Sequence, residues 1–215
     1  GSSGAKARWP GRGPLETNVI DNFRDGDWRN TRGAYLVHMV DDNQVDLATA
    51  LAISKGYVGR ELEEQIRYLA SHTVRLFSHN EGIADPQNRL TLSQTHKDVL
   101  GIPHPEVYYK LPEYTVKSCE HTRGMFRELI GLMHGTDEQW TPGYFPQDHP
   151  AGSTIMGTDP KDSVVDGYCR THDHENLFMA SSSVFSSVGT GNITLTVAAL
   201  ALRVADTLKK ELSHA

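Results

Sequence analysis

The sequence predicts an α+β fold. Segments 57–77, 115–133 and 194–212 repeat apolar side chains at helical spacing, and stretches such as Ala34–Val40 and Arg89–Leu92 read as strands. Abundant turn residues, 19 Gly and 10 Pro in 215, separate them. At 38% hydrophobic and 22% charged residues the chain can bury a core. A net charge of -6 with no long Lys/Arg run argues against a nucleic-acid partner. No segment approaches the roughly 20 apolar residues needed to cross a bilayer. The longest apolar stretch, 195–208, is interrupted by Arg203 and Asp206.

Residues 1–31 read as loop, with WPGRGP and RDGDWRNTRG supplying turn signals. Ala34–Val40 is apolar on both faces and therefore reads as an inner strand ending at Asp41-Asp42-Asn43. A short apolar run, 47–53, precedes a helix over 57–77 carrying Ile66, Leu69, Ala70, Thr73 and Phe77 on one side. After a turn at 84–88, Arg89–Leu92 alternates like a strand. Glu106–Lys110 reads as another, and prolines 103, 105 and 112 confine it to an edge or linker. The helix expected over 115–133 presents Cys119, Met125, Phe126, Leu129, Ile130 and Met133, with Gly135 as its stop. Residues 136–162 form the longest loop. Val164-Val165 and Leu177–Ala180 then read as short strands around a polar turn. The last helix runs from Thr194 to Leu212, its buried stripe being Leu195, Ala198, Ala199, Leu202, Ala205 and Leu208.

Two loops concentrate small residues around single polar side chains: DHPAGSTIMG at 148–157 and SSSVFSSVGTGNITLT at 181–196. Glycines 152, 157, 189 and 191 remove bulk where backbone approaches another group closely, and Ser and Thr add short donors. Such clusters are ordinarily turns. What favours a binding role is the helix after Asn192, which aims its positive end and free N–H groups at whatever lies there. His149, between Asp148 and Pro150, has a side chain suited to removing or returning a proton near neutrality. Other histidines read as packing (His38) or surface (His72, His79, His214). His172-x-His174 reads as a polar hairpin turn and not as zinc ligands, because no third ligand is evident; no metal site is expected. Cys119 and Cys169 allow at most one disulfide, and their redox state stays open. There is no Gly-x-Ser-x-Gly elbow and no Gly-x-Gly-x-x-Gly dinucleotide fingerprint.

The stretches HPAGSTIMG, DSVVDGYCRTHDHENLFMASSSVF and GTGNITLTVAALALRVAD, between His149 and Leu208, resemble in order the closing motifs of glucose-methanol-choline (GMC) flavoprotein oxidoreductases. NRLTLSQTHKDVLGIPHP at 88–105 is similar to the stretch leading through their substrate domain. The resemblance is in particular to the large subunits of bacterial gluconate, sorbitol, fructose and glucose dehydrogenases. It implies a loop-rich segment at 1–33, a substrate-binding domain at 34–147, and the C-terminal part of an FAD-binding domain at 148–215. It further implies FAD as cofactor and oxidation of a sugar, polyol or sugar-acid hydroxyl. In that reading His149 takes the alcohol proton as hydride passes to flavin N5, and Asn192 holds the substrate oxygen. Ala180 and Ser181 would approach the ribityl and phosphate side of the flavin, Ile193 and Thr194 its pyrimidine edge.

Two positions depart from the family pattern: Ile193 stands where a proline is usual and Ile155 where an arginine is usual. The N-terminal Gly-rich FAD-binding part is also absent from this chain, so the resemblance makes that polypeptide an expected partner. A small subunit and a cytochrome or quinone acceptor are further expected partners, at the periplasmic, outer face of the bacterial inner membrane. The start at Gly1-Ser2-Ser3-Gly4, without an initiator Met, reads as truncation or cleavage. The alternative is a non-catalytic binding or structural module derived from the same fold.

Overall fold

A computed structural model describes residues 18–40, 45–144 and 149–213. The expected strand end at Asp41-Asp42-Asn43, and His214, lie outside these. The chain divides into two compact units, one made of 1–80 with 117–145, the other of 81–116 with 146–215.

The first unit is built on a three-stranded antiparallel sheet of β1 (Asn18–Ile20), β2 (Tyr35–Val40) and β3 (Arg75–Asn80), with β2 in the centre. β2 is thus the inner strand its two apolar faces predict: Tyr35, Val37, His38 and Val40 are all buried. β1 and a 3-10 turn at Asp27–Asn30 correct the expectation of loop before residue 31. Three residues are too few to show an alternating period; pairing of Val19 with His38 and of Ile20 with Val37 makes this a strand.

The short run at 47–53 is helical, within α1 (Val45–Ser54), and packs on α2 (Gly59–His72) through Ala48, Ala52, Leu69 and Ala70. α2 stops at His72 and does not reach Phe77. Thr73 has φ -91° and ψ 129°, and the β-branched pair Thr73-Val74 leads into β3, where Phe77 lies opposite His38. The helical spacing of Thr73 and Phe77 with Leu69 is therefore coincidental. His38 is strand packing, stacked on Phe77 at 4.7 Å, and His79 is buried beside it, which corrects its assignment to the surface.

α3 (Glu113–Leu132) agrees with the predicted third helix, but the face it buries in this unit is partly hydroxylic. Cys119 and Ile130 are buried as expected, together with Ser118 and Thr122. Ser118 Oγ donates to Asn80 Oδ1 at 2.8 Å and Thr122 Oγ1 to the same oxygen at 3.0 Å. Asn80 Nδ2 in turn donates to Ser78 Oγ at 2.8 Å. The last residue of β3 thereby joins two buried hydroxyls of the helix to the sheet, beside the backbone acceptors Ser118 O (2.9 Å from Thr122 Oγ1) and Ala34 O (3.4 Å from Ser118 Oγ). The left-handed residue after α3 is His134 (φ 53°), and Gly135 N–H returns to Ile130 O at 2.9 Å.

The second unit contains β4 (Gly82–Ile83) paired with β7 (Ser187–Val188), the hairpin of β5 (Arg89–Lys97) and β6 (Pro103–Tyr108), and α4 (Thr194–Leu212). β6 begins earlier than expected, at Pro103, because a two-stranded sheet tolerates prolines that a central strand excludes. Ser93 is buried, and its Oγ accepts the N–H groups of Thr95 (3.3 Å) and His96 (3.1 Å), within the register shift between Leu92 and Lys97.

The expected strands at 164–165 and 177–180 are not formed. The segment is held by isolated bridges: Met156 with Val165, Val165 with Thr171, and Arg170 with Phe178. α4 has the predicted limits but buries another face. Leu195 is 82% and Leu202 68% exposed, whereas Val204 packs with Val165, Cys169 and Val184, flanked by Leu200 and Leu208. Apolar residues occur nearly all round this helix, so periodicity alone does not choose the face. Both cysteines are free and buried; burial pushes the Cys119 thiol up to about 11 and also raises that of Cys169.

Truncating Asn80 to alanine should cost about 1 kcal/mol as read by urea unfolding, because Thr122 Oγ1 keeps Ser118 O as acceptor at 2.9 Å while Ser118 Oγ is left with only the 3.4 Å contact to Ala34 O. A second prediction concerns His121 on α3. Arg32 Nη2, which can only donate, meets His121 Nε2 at 3.5 Å, so the ring proton falls on Nδ1, 2.7 Å from Tyr35 Oη. Burial, then the Arg32 charge, lowers the His121 pKa below its ordinary value, and burial pushes Tyr35 up to about 12. Well above pH 6.5 the folded and unfolded states both hold this ring neutral. As pH falls below that value the unfolded state takes up the proton first, and stability is lost. The urea midpoint should therefore fall between pH 7 and pH 5 more steeply in the wild type than in His121→Gln; equal slopes would contradict this.

Candidate functional site

His149 is half-buried and begins the described part of the 149–157 loop. This loop runs against a single 3-10 turn at Ser182–Val184. Gly152 N–H donates to Ser182 O at 3.2 Å, Thr154 N–H to Ser183 O at 3.0 Å and Met156 N–H to Val184 O at 2.8 Å. Side chains reinforce the ladder: Ser182 Oγ donates to Pro150 O at 2.7 Å, and Thr154 Oγ1 to Ser183 Oγ at 2.6 Å. Ser181 starts the 3-10 turn, its Oγ accepting from Ser183 N–H at 3.1 Å. Val184, fully buried, and Met156 carry the ladder into the core of the unit.

The four glycines of these loops differ in role. Gly152 has φ 86°, a conformation that side chains resist, and a Cβ on Gly157 would lie 2.7 Å from Ser163 Cβ. Cβ positions at Gly189 and Gly191 meet nothing within 4 Å. The close approach expected of all four is thus internal at Gly157, while Gly189 and Gly191 leave open space before α4.

Asn192 is exposed at the mouth of α4, followed by half-buried Ile193 and exposed Thr194. Ile193 is the N-cap, with φ -85° and ψ -13°, and no side chain caps the helix. The first N–H groups of this 19-residue helix are thus available to an electron-rich group. Ala180 and Ser181 are exposed just before the 3-10 turn. All six residues singled out in the sequence, His149, Ala180, Ser181, Asn192, Ile193 and Thr194, belong to the second unit. The ladder brings the turn after His149 to Ser182, directly beside Ala180 and Ser181.

His172 and His174 serve the turn. His172 Nε2 lies 3.0 Å from Ser163 Oγ, and Thr171 Oγ1 donates to His174 O at 2.8 Å. Among the described residues no group of three His, Cys, Asp or Glu side chains is arranged to hold a metal ion.

The GMC oxidoreductase C-terminal family model matches residues 84–201, more than half of the chain. This chain belongs to the GMC oxidoreductase family. It is 44% identical over 210 residues to the fructose dehydrogenase large subunit of Gluconobacter japonicus, covering 98% of this chain and 39% of that protein. It is 26% identical to the 2-methyl-1,2-propanediol dehydrogenase of Mycolicibacterium austroafricanum, covering 77% and 31% of the respective chains. It is 25% identical to the gluconate 2-dehydrogenase flavoprotein of Pantoea cypripedii, covering 66% and 24%. The chain therefore spans about two fifths or less of the length of these relatives. A solved structure of pyridoxine 4-oxidase from Mesorbium loti gives a TM-score of 0.43 at 17% identity, covering 80% of this chain and 34% of that one. The family model and the fructose dehydrogenase match carry the family membership, and the helices and sheets described above are the α+β fold that the sequence predicts.

Sequence reasoning did not single out Ser182, Ser183 or Thr154. A run of three serines carries no spacing signal, and which hydroxyl meets which carbonyl is set by the 3-10 turn.

Proposed function

We propose that this chain is the C-terminal, catalytic part of an FAD-dependent dehydrogenase that oxidises a sugar, polyol or sugar-acid hydroxyl. It acts when completed by an N-terminal FAD-binding polypeptide. The observation that carries this reading is the ladder seating the His149 loop beside Ala180 and Ser181, in a unit whose α4 begins at Thr194, just after Asn192, with no side chain capping it. The family match and the dehydrogenase names of the relatives support the reaction class.

The residues present fit one edge of a flavin. Open space at Gly189 and Gly191, exposed Ala180 and Ser181, and the free end of α4 suit a flat, electron-accepting ring. The chain offers no Gly-x-Gly-x-x-Gly turn for the diphosphate, so most cofactor affinity resides in the completing polypeptide. Bound flavin supplies an acceptor for two electrons at N5. His149 receives the proton of the substrate hydroxyl, which eases departure of hydride from the same carbon. Asn192 orients the substrate oxygen with a side-chain amide that does not compete as a base. The N–H groups at Ile193 and Thr194, with the positive end of α4, favour negative charge beside them.

Exposed apolar side chains support completion by a further polypeptide. On α4 these are Leu195 and Leu202, and on the hairpin Leu90, Leu92, Val107 and Tyr108. The "large subunit" in the name of the Gluconobacter relative supports a smaller companion subunit. A cytochrome or quinone acceptor at the periplasmic face belongs to the same proposal. No described helix is long and apolar enough to cross a membrane.

The test is single-turnover flavin reduction in the completed enzyme with fructose, sorbitol and gluconate. His149→Ala should slow reduction by about a hundredfold or more, and Asn192→Ala by about tenfold or more. Wild-type rates in both would remove the catalytic pair and favour a non-catalytic module. The 215-residue chain alone should lose FAD on gel filtration; stoichiometric retention would contradict the assignment of affinity to the other polypeptide.

A further inference from the structure

Ser182 touches the His149 turn twice. Its carbonyl accepts Gly152 N–H, as any residue there would allow. Its hydroxyl is specific to serine: Oγ donates to Pro150 O at 2.7 Å. Pro150 follows His149 directly, and two covalent constraints transmit the grip. The proline ring fixes its own φ near -65°, and its Cδ confines the preceding residue to extended conformations. Between the gripped carbonyl and the His149 backbone only the Pro150 ψ torsion stays free, so a hydroxyl that holds this carbonyl narrows the orientations open to His149. Ser182 is itself anchored: it opens the 3-10 turn that ends at buried Val184, and Phe185 N–H returns to Ser182 O at 3.1 Å.

We propose that Ser182 is a positioning residue for His149, fixing the proton acceptor by donating its hydroxyl proton to the Pro150 carbonyl. This rests on the reading of His149 given above. Ser182 contacts no reacting atom in this role. It narrows the angular range of the imidazole, and misplacement of a reacting group by about 1 Å can cost a hundredfold in rate.

The test compares Ser182→Ala with Ser182→Thr, which keeps the hydroxyl, in the completed flavoprotein, using whichever of fructose, sorbitol and gluconate reduces the wild-type flavin fastest. In Ser182→Ala the reduction rate constant should fall about tenfold, with the half-saturating substrate concentration changed less than twofold. Ser182→Thr should recover most of the rate. The second readout is independent of activity: amide hydrogen exchange at Gly152 should accelerate about tenfold in the alanine variant and stay near wild type in the threonine variant.

Equal rates for wild type and Ser182→Ala, with His149→Ala defective, would overturn the proposal and leave the reading of His149 standing. Equal losses in the alanine and threonine variants would also overturn it, since the hydroxyl would not be the cause. If His149→Ala proves fully active, or none of the three compounds reduces the flavin, the functional reading fails, and the positioning role fails with it. Unchanged exchange at Gly152 in Ser182→Ala would overturn the grip without reference to catalysis.

Discussion

The second unit depends on one backbone arrangement: a bent loop segment, 152–156, hydrogen-bonded to a 3-10 turn, 182–184. The two sides advance at different rates. Donors at 152, 154 and 156 meet carbonyls at 182, 183 and 184, two residues of loop for each residue of turn. An extended chain rises about 6.6 Å over two residues, so the match needs local bending, not a straight strand. That bending occurs at Gly152 and Ser153, both left-handed with φ 86° and 80°. For Ser153 the conformation costs about 1–2 kcal/mol, which the adjoining hydrogen bonds and the burial of Val184 offset. Met156 then bridges Val165, and Val165 shares the core with Cys169, Val184 and Val204. Loosening the ladder would release the loop of His149 and the inner support of α4 together.

This arrangement explains what the sequence discloses and what it conceals. β2 and the limits of α4 are legible because a strand apolar on both faces and a long helical period are signals local to the chain. The face that α4 buries is not local: Leu195 and Val204 are equally apolar, and only contact with Val165 and Cys169 distinguishes them. Val164-Val165 and Leu177–Ala180 read as strands because valines and the Leu177–Met179 run favour extended backbone. Yet Asp166 Oδ1 accepts the N–H groups of Tyr168 (2.8 Å) and Arg170 (3.0 Å), curling the chain before a ladder can form. Cys169 takes the left-handed position there (φ 64°), although Gly167 is two residues away. Turn chemistry of an aspartate thus overrides strand propensity.

Buried hydroxyls are the second class of feature that patterning misses. On α3, Ser118 and Thr122 occupy core positions that a hydrophobic count treats as surface. Both donate to the side-chain Oδ1 of Asn80, some forty residues earlier at the end of β3. The apolar residues expected on that face supply only part of it. A polar acceptor brought from another element converts serine and threonine into core residues, and no window of sequence contains both partners.

The candidate site combines both kinds of information. His149 and Asn192 emerge from the order of motifs along the chain. Asn192 needs little beyond the start of a helix to hold it, and the α4 boundary is legible. His149 sits in a loop without a period, so its placement must come from elsewhere. That difference bears on chemistry. Proton removal from a hydroxyl and hydride loss from its carbon place two geometric demands on one substrate, and a base that wanders satisfies them only part of the time. For the base proposed at His149, the proline that follows it, the left-handed pair beyond and the serine hydroxyl on the proline carbonyl are the features that constrain the backbone carrying it. The hydrogen bonds that hold this loop therefore come from the 182–184 turn.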